Sequence, residues 1–190
     1  MRAALLSLAL SLTACASSPP LDAALDGLPE TSPAPPGSDD DALLAAALRY
    51  ALESPESDYA PLVAGRRVPV ASEYHVREGD GWPAHPLTAA ALPAGTGRAF
   101  VLVSDEEACG RAREHEGFSR VTLGLERVAA DTALVRIGGW GLYPSAVSDS
   151  VLARPRQCPG YVGAGGSPIG RFVRSGRSWA FDEWVGWIGS

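Results

Sequence analysis

The chain begins with a short apolar run, and this run limits which residues are left to form a fold. Met1 and Arg2 precede the mainly apolar residues 3–12, and small residues follow. One positive residue, a short apolar stretch and a small-residue cleavage site are typical of a secretory signal. A transmembrane helix needs about 20 apolar residues, so this run is too short to be a permanent span. We therefore expect residues 1–14 to be removed and the remainder to fold as one exported domain.

Residues 12–15 read Leu-Thr-Ala-Cys, which resembles the lipobox of bacterial lipoprotein precursors. The resemblance implies that the Cys15 thiol is diacylated, that Cys15 becomes the first mature residue, and that its amino terminus is acylated too. Two or three acyl chains give a firm membrane anchor. Ala16 replaces the aspartate that often retains such proteins in the inner membrane, which favours the outer membrane. Ordinary secretory cleavage, which would discard Cys15, is the alternative because Ala14-Cys15-Ala16 also fits its small-x-small pattern.

The next segment predicts a tether followed by a helix. Residues 15–38 contain the lipidated cysteine and many prolines, so we expect a disordered tether there and a single domain over 39–190. Ser38 is a suitable N-cap, and three aspartates follow it where the helix dipole favours negative charge. Apolar residues at helical spacing continue to the Ser54-Pro55 break, which predicts a helix over 39–53.

The second half of the chain has the alternation of β-strands. Residues 99–103 are a short apolar run, and residues 121–125 and 133–137 alternate around a turn, which predicts a hairpin. A second hairpin is predicted around residues 175–177. The glycine-rich stretch before it is expected to be a mobile loop. The predicted fold is α+β, with the helix packed on one face of a curved antiparallel sheet.

Residues 119–190 resemble two groups of proteins. The long meander ends in Gly176-Arg177-Ser178-Trp179 and in Trp187-Ile188-Gly189-Ser190. This pattern is similar to the cystatin-like or ketosteroid-isomerase-like cone fold. It is also similar to uncharacterised bacterial secreted proteins with a glycine-x-x-tryptophan hairpin. The resemblance implies a cone-like sheet and carries over no catalytic residues.

Two cysteines remain if Cys15 is lipidated. Cys109 and Cys158 would reach an oxidising compartment, where disulfides persist. We therefore predict a bridge between them. The alternatives are two buried free thiols or a partner on another chain.

Charge and spacing count against several classes of function. Residues 61–190 carry 13 acidic residues and 14 arginines without the clustered basic surface that nucleic acid requires, so no nucleic-acid partner is expected. The three histidines, His75, His85 and His115, form no tight ligand pair, so neither a metal site nor a cofactor is predicted. The Ser167 region does not match a nucleophile elbow, because Pro168 removes an amide donor.

The tryptophans near the carboxyl end are the best candidates for a binding surface. Strict alternation places Trp179 and Trp187 on one strand face and Trp184 on the other, with Arg171 and Arg174 on the neighbouring strand. These residues predict non-enzymatic binding of an envelope protein or a glycan. Core packing of the tryptophans is the alternative for the surface. The alternative function is a small pocket-type hydrolase or isomerase, for which the acid and base candidates are Glu114, His115 and Asp182.

Overall fold

The computed structural model describes residues 21–54, 59–145 and 158–189. The helices are α1 (Leu21–Ala24), α2 (Asp39–Glu53), α3 (Ala60–Ala64), a 3₁₀ turn (Ala89–Ala91) and α4 (Asp105–His115). The strands are β1 (Arg67–Val76), β2 (Ala84–Pro86), β3 (Ala99–Val103), β4 (Phe118–Ala129), β5 (Thr132–Pro144), β6 (Tyr161–Ser175) and β7 (Ser178–Gly189). Within these ranges, none of the helices has the length and apolar character that a membrane span requires.

The seven strands form one mostly antiparallel sheet in the order β2-β1-β4-β5-β6-β7, with β3 also paired to β1. The α+β class predicted from the sequence is confirmed. The sheet is not antiparallel throughout, however, because β1 runs parallel to both β3 and β4. Parallel strands need a crossover connection, and α4 provides it between β3 and β4. A capping box between Ser104 and Glu107 begins α4 within a stretch whose sequence is mainly polar.

Helix α2 lies on one side of the sheet, which we call the α2 face. The helix has the bounds expected from its N-cap and apolar spacing, and Ser38 accepts a hydrogen bond from the Asp41 amide. Its buried residues join one core with the inward side chains of five strands, β1, β3, β4, β5 and β6. These buried helix and strand residues are Leu43, Leu44, Ala47, Leu48, Ala51, Val68, Val70, Phe100, Val121, Leu123, Leu125, Ala133, Val135, Ile137 and Phe172.

The opposite face carries α1 and α4, and here the expected tether differs from the structure. From residue 21 onward the segment packs on the domain, with Leu25 fully buried against the second side of β3. The Thr31 amide donates to the Phe100 carbonyl at 2.7 Å, and Arg67 donates to the Leu25 carbonyl at 2.7 Å. The prolines stop long helices in this segment without preventing an extended chain from packing. The ordered domain therefore begins before residue 39.

A disulfide joins Cys109 in α4 to Cys158 just before β6, with the two Cα atoms 5.4 Å apart. The predicted bridge is thus confirmed. It closes a loop with a sequence separation of 49 residues, which corresponds to about 4 kcal/mol of stabilisation in the chain-entropy account. On the face of the sheet opposite to α2, the bond fastens α4 to the start of the β6–β7 hairpin.

Candidate functional site

Two β-bulges in β7 decide where its tryptophans lie. Phe172 pairs with Phe181 but Arg171 pairs with Glu183, and Gly170 pairs with Trp184 but Ile169 pairs with Gly186. Asp182 and Val185 are therefore the extra residues of the two bulges, and each one shifts the alternation by one position.

The three tryptophans consequently share the α2 face. Trp184 lies across from Gly170 and Trp187 across from Pro168, and both partners alternate in step with buried Phe172. The strict alternation that placed Trp184 on the other face was wrong, because a regular strand cannot account for the two extra residues.

Trp179 belongs to the core. Its side chain is 7% exposed, and its indole N–H donates to Asp39 Oδ1 at 3.0 Å. The Arg127 guanidinium lies 4.9 Å from the ring centroid and also pairs with Asp39 at 2.9 Å. Burial raises the pKa of Asp39, but the Trp179 hydrogen bond and the charges of Arg127 and Arg174 outweigh it and leave that pKa below its usual value. Trp179 thus fastens β7 to the start of α2.

The two predicted arginines are already paired with carboxylates. Arg171 contacts Asp182 and Glu183 at 2.7 Å each, and the Asp182 hydrogen bond raises the pKa of Arg171. Arg171 alternates with Phe172 and so lies on the opposite face. Arg174 pairs with Asp39 at 3.3 Å. Neither arginine therefore joins Trp184 and Trp187 in one surface.

Trp184 and Trp187 belong to a set of six exposed apolar residues on the last three strands, β5, β6 and β7. We call this group the aromatic end. Its members are Tyr143, Val162, Trp184, Val185, Trp187 and Ile188. Trp184 is 39% exposed and contacts the rings of Tyr50 and Phe181, while Trp187 is 61% exposed. The six side chains are all uncharged.

Glycines allow the rings of this part of the sheet to lie flat on it. A Cβ at Gly163 would stand 2.2 Å from the Trp140 ring, and one at Gly166 would stand 2.7 Å from the Trp187 ring. The glycine-rich stretch that we expected to be a mobile loop is thus part of strand β6. Its glycines are needed because neighbouring rings occupy the space of their side chains.

The opposite face holds a cleft between α4, β1 and β5 that the sequence did not indicate. It has two hollows that share His75 and Thr122. The larger, of about 670 Å³, is lined by Ala71, Ser72, Glu73, His75, Ala84, Ser104, Asp105, Glu106, Arg120, Thr122 and Trp140. The smaller, of about 380 Å³, is lined by His75, Trp82, Thr122, Leu123, Gly124, Arg136 and Ser167. Strand alternation in the sequence is enough to place Arg136 on the other face of β5 from Val135 and Ile137. The sequence has no comparable pattern that predicts the loop placing Trp82 over the sheet.

The candidate acids and bases of the alternative enzyme function lie on two elements, with Glu114 and His115 3.9 Å apart on α4 and Asp182 on β7. Glu114 and His115 end α4, with Glu114 paired to Arg111 at 3.1 Å, while Asp182 is held by Arg171 in β7. In the ranges that the structure covers, His, Cys, Asp and Glu side chains form no group of three suited to a metal ion.

Cys15, the predicted lipidation site, lies outside the described residues. Comparison of the chain with protein-family models, curated proteins and solved structures finds no match. The functional argument therefore depends on the residues themselves.

Proposed function

We propose that this chain is a lipid-anchored cell-envelope protein that binds a partner protein through its aromatic end. The membrane part of the proposal depends on the lipobox-like Leu-Thr-Ala-Cys at residues 12–15, with Cys15 as the acylated residue and the outer membrane as the favoured location. The observation that carries the binding part is the exposure of Trp184 and Trp187 on one face of β7, across from alternate residues of β6. Large exposed apolar side chains that lie close together are typical of interaction sites.

A protein partner suits this surface better than a glycan. Sugar hydroxyls that are buried against a protein need hydrogen-bond partners, and leaving them without partners is costly. The residues across from Trp184 and Trp187 are Gly170 and Pro168, which have no polar side chains. The core of a protein–protein interface is depleted in charged residues and enriched in tryptophan and tyrosine, which is the composition of the aromatic end.

The partner is expected to bind the faces of the sheet rather than its edge. Strand β7 is the last strand of the sheet order, and edge strands can add a strand from another protein. The bulges at Asp182 and Val185 lie in this strand, however, and bulges are one way in which natural edges are protected from such pairing. Trp187 and Ile188 are exposed and alternate between the faces, so a partner can contact both sides of the end.

The proposal includes a cone-like or cystatin-like shape for the domain. The consecutive antiparallel strands β4 to β7, with α2 against them, support it. The parallel pairing of β1 with β3 is a departure from that pattern. Fold similarity does not by itself imply a ligand.

Site-specific photocrosslinking in cells tests the binding proposal. A benzoylphenylalanine in place of Trp187 should give one adduct with a different protein, whereas the same group at Val128 should give none. Val128 is a matched control because it is 60% exposed and lies at the end of β4, away from the aromatic end. The adduct at position 187 should be lost when Trp184→Ala is added.

Three results would contradict this proposal. An adduct of two identical chains would make the surface a self-association site. Equal adducts at positions 187 and 128 would show non-specific contact. If Trp187→Ala lowered retention on purified peptidoglycan and no protein adduct formed, the occupant would be a glycan.

The anchor is tested separately. A palmitate analogue should label the protein in growing cells, and Cys15→Ser should abolish the label and release the protein from the membrane fraction. Label that persists in Cys15→Ser would contradict lipidation at this residue, without affecting the aromatic end.

A further inference from the structure

The smaller hollow of the cleft has a wall that the protein builds in advance of any ligand. Trp82 lies in the loop between β1 and β2, and its carbonyl accepts a hydrogen bond from His75 Nδ1 at 3.1 Å. The following Pro83 carbonyl accepts one from the Val76 amide at 3.0 Å, and Glu78 and Gly81 pair within the loop. These bonds hold the Trp82 ring over the sheet.

Arg136 is stacked on this ring, and its N–H groups remain available for hydrogen bonds. Its guanidinium carbon lies 3.7 Å from the Trp82 ring centroid. Stacking uses the flat face of the guanidinium, whereas its N–H groups point outward in its plane. Within the part of the chain that the structure describes, those N–H groups have no hydrogen-bond or ion-pair partner.

The surroundings of Arg136 disfavour an uncompensated charge. Burial lowers the pKa of Arg136, the charge of Glu126 raises it, and the like charge of Arg77 lowers it again. The net effect is a lowered pKa, so the free protein stabilises this cation less well than water does. An anion bound at the guanidinium would supply the missing compensation.

The hydroxyl of Ser167 is a second polar group in this hollow. Ser167 lines the same hollow, and a Cβ at the facing Gly138 would stand 2.0 Å from its Oγ, so only glycine leaves this hydroxyl its place. Thr122 completes the floor between the two hollows, and its hydroxyl donates to the Gly138 carbonyl at 3.5 Å. The hollow therefore combines one guanidinium fork with the hydroxyl of Ser167.

We propose that the smaller hollow binds the free carboxylate of an amino acid or short peptide, with Arg136 as the residue that pairs with it. A planar carboxylate matches the guanidinium fork and takes two parallel hydrogen bonds. This site is on the opposite face from the aromatic end, so it goes beyond the proposed function and can fail independently of it.

The acidic residues of the larger hollow favour a carboxylate over a phosphate as the anion at Arg136. It is lined by Glu73, Asp105 and Glu106, and its one arginine, Arg120, is paired with Asp105 and with the Val103 carbonyl. A phosphate dianion at Arg136 would bring two negative charges toward this acidic neighbourhood, and the nearby Arg77 is already paired with Asp80 and with the Gly79 carbonyl. A peptide whose carboxylate lies at Arg136 would instead bring its neutral backbone or its ammonium group toward the acidic side.

Binding of triglycine to the purified protein tests the proposal. The side-chain Nε–H signals of ¹⁵N-labelled arginine report the site directly, and the spectrum of Arg136→Gln assigns the Arg136 signal. Triglycine should shift that signal saturably. Its carboxyl-terminal amide should bind about tenfold more weakly or worse, since a charged hydrogen bond is lost. N-acetylation should have a smaller effect.

The variants separate recognition from folding. Arg136→Lys keeps the charge but loses the fork, so it should bind triglycine with intermediate affinity. Arg113→Gln is the matched control, since Arg113 is exposed on α4, and it should bind as the parent protein does. An Arg136 signal that none of the peptides moves at millimolar concentration would overturn the proposal. Equal binding of acid and amide, or stronger binding of inorganic phosphate than of triglycine, would overturn it too.

Discussion

Replacing each tryptophan of β7 by alanine tests the bulged register on which the aromatic end depends. Trp179, Trp184 and Trp187 are 7%, 39% and 61% exposed, all on the α2 face. If the register is correct, the loss of unfolding free energy should be largest for Trp179→Ala, intermediate for Trp184→Ala and smallest for Trp187→Ala. The two exposed residues also differ in their contacts, because Trp184 meets the Tyr50 ring with centroids 5.7 Å apart.

The magnitudes follow from burial. Trp179→Ala should cost about 3–5 kcal/mol, the usual range for a buried large aromatic. A tryptophan can bury about 250 Å² at most, so the less than half of Trp187 that is covered corresponds to about 100 Å². At about 25 cal/mol per Å² this gives at most about 2.5 kcal/mol, and less if the unfolded chain is compact. Trp184→Ala should lie between the two.

Urea denaturation of the purified protein measures these losses. A double-mutant cycle of Tyr50→Ala with Trp184→Ala gives the sharpest comparison, since the two rings should be coupled by about 0.5–1.5 kcal/mol. In a regular strand Trp184 would lie on the other side of the sheet from Tyr50, and the coupling would vanish. Additive losses, or a loss at Trp187 as large as at Trp179, would refute the bulged register.

Three further outcomes follow from the same contacts. Cys109→Ser with Cys158→Ser should lower the unfolding free energy by about 4 kcal/mol, measured by urea denaturation against the oxidised parent, and reduction should not weaken the double variant further. A chain starting at residue 39 should be less stable than one starting at residue 21 by at least about 2 kcal/mol, because fully buried Leu25 is lost; equal midpoints would mean that the segment does not pack. Since the pKa of Asp39 is lowered in the folded protein, its stabilisation should be complete above the usual value of 3.8 and be lost as the pH falls through the folded-state pKa. Asp39→Asn should therefore flatten the loss of stability below about pH 4 in acid titrations followed by tryptophan fluorescence, and an unchanged profile would contradict this role.

The helix α2 and the two hairpins could be predicted because their signals are local. Ser38 and the aspartates after it lie next to one another in the sequence, and they set the start of α2 whatever the rest of the chain does. The β4–β5 turn follows from alternation on both sides of residues 130–131, and Gly176 supplies the positive φ of the β6–β7 turn.

The packed segment before α2 could not be predicted in the same way. Its prolines and small residues are typical of a linker, and the features that order it lie far away in the sequence. Arg67 in β1 donates to the carbonyls of Leu25 and Leu28, and β3 supplies the apolar surface under Leu25. A prediction from composition uses only the residues of the segment, whereas the ordered packing of this segment depends on partners about 40 residues away in the sequence.

The glycines of β5 and β6 show why the candidate sites were harder to predict than the fold. In the sequence they predict flexibility, since glycine lowers strand propensity. In the sheet, Gly163 and Gly166 of β6 lie under the rings of Trp140 and Trp187, and Gly138 of β5 lies under Ser167, so a side chain at any of the three would collide. Gly166 thus leaves room for the Trp187 ring at the aromatic end, and Gly163 leaves room for the Trp140 ring that lines the cleft on the opposite face. A glycine in such a sequence can belong to a loop or can lie in a strand under an aromatic ring, and the neighbouring strand decides which. For Trp187, the bulges in β7 determine that the ring lies over β6.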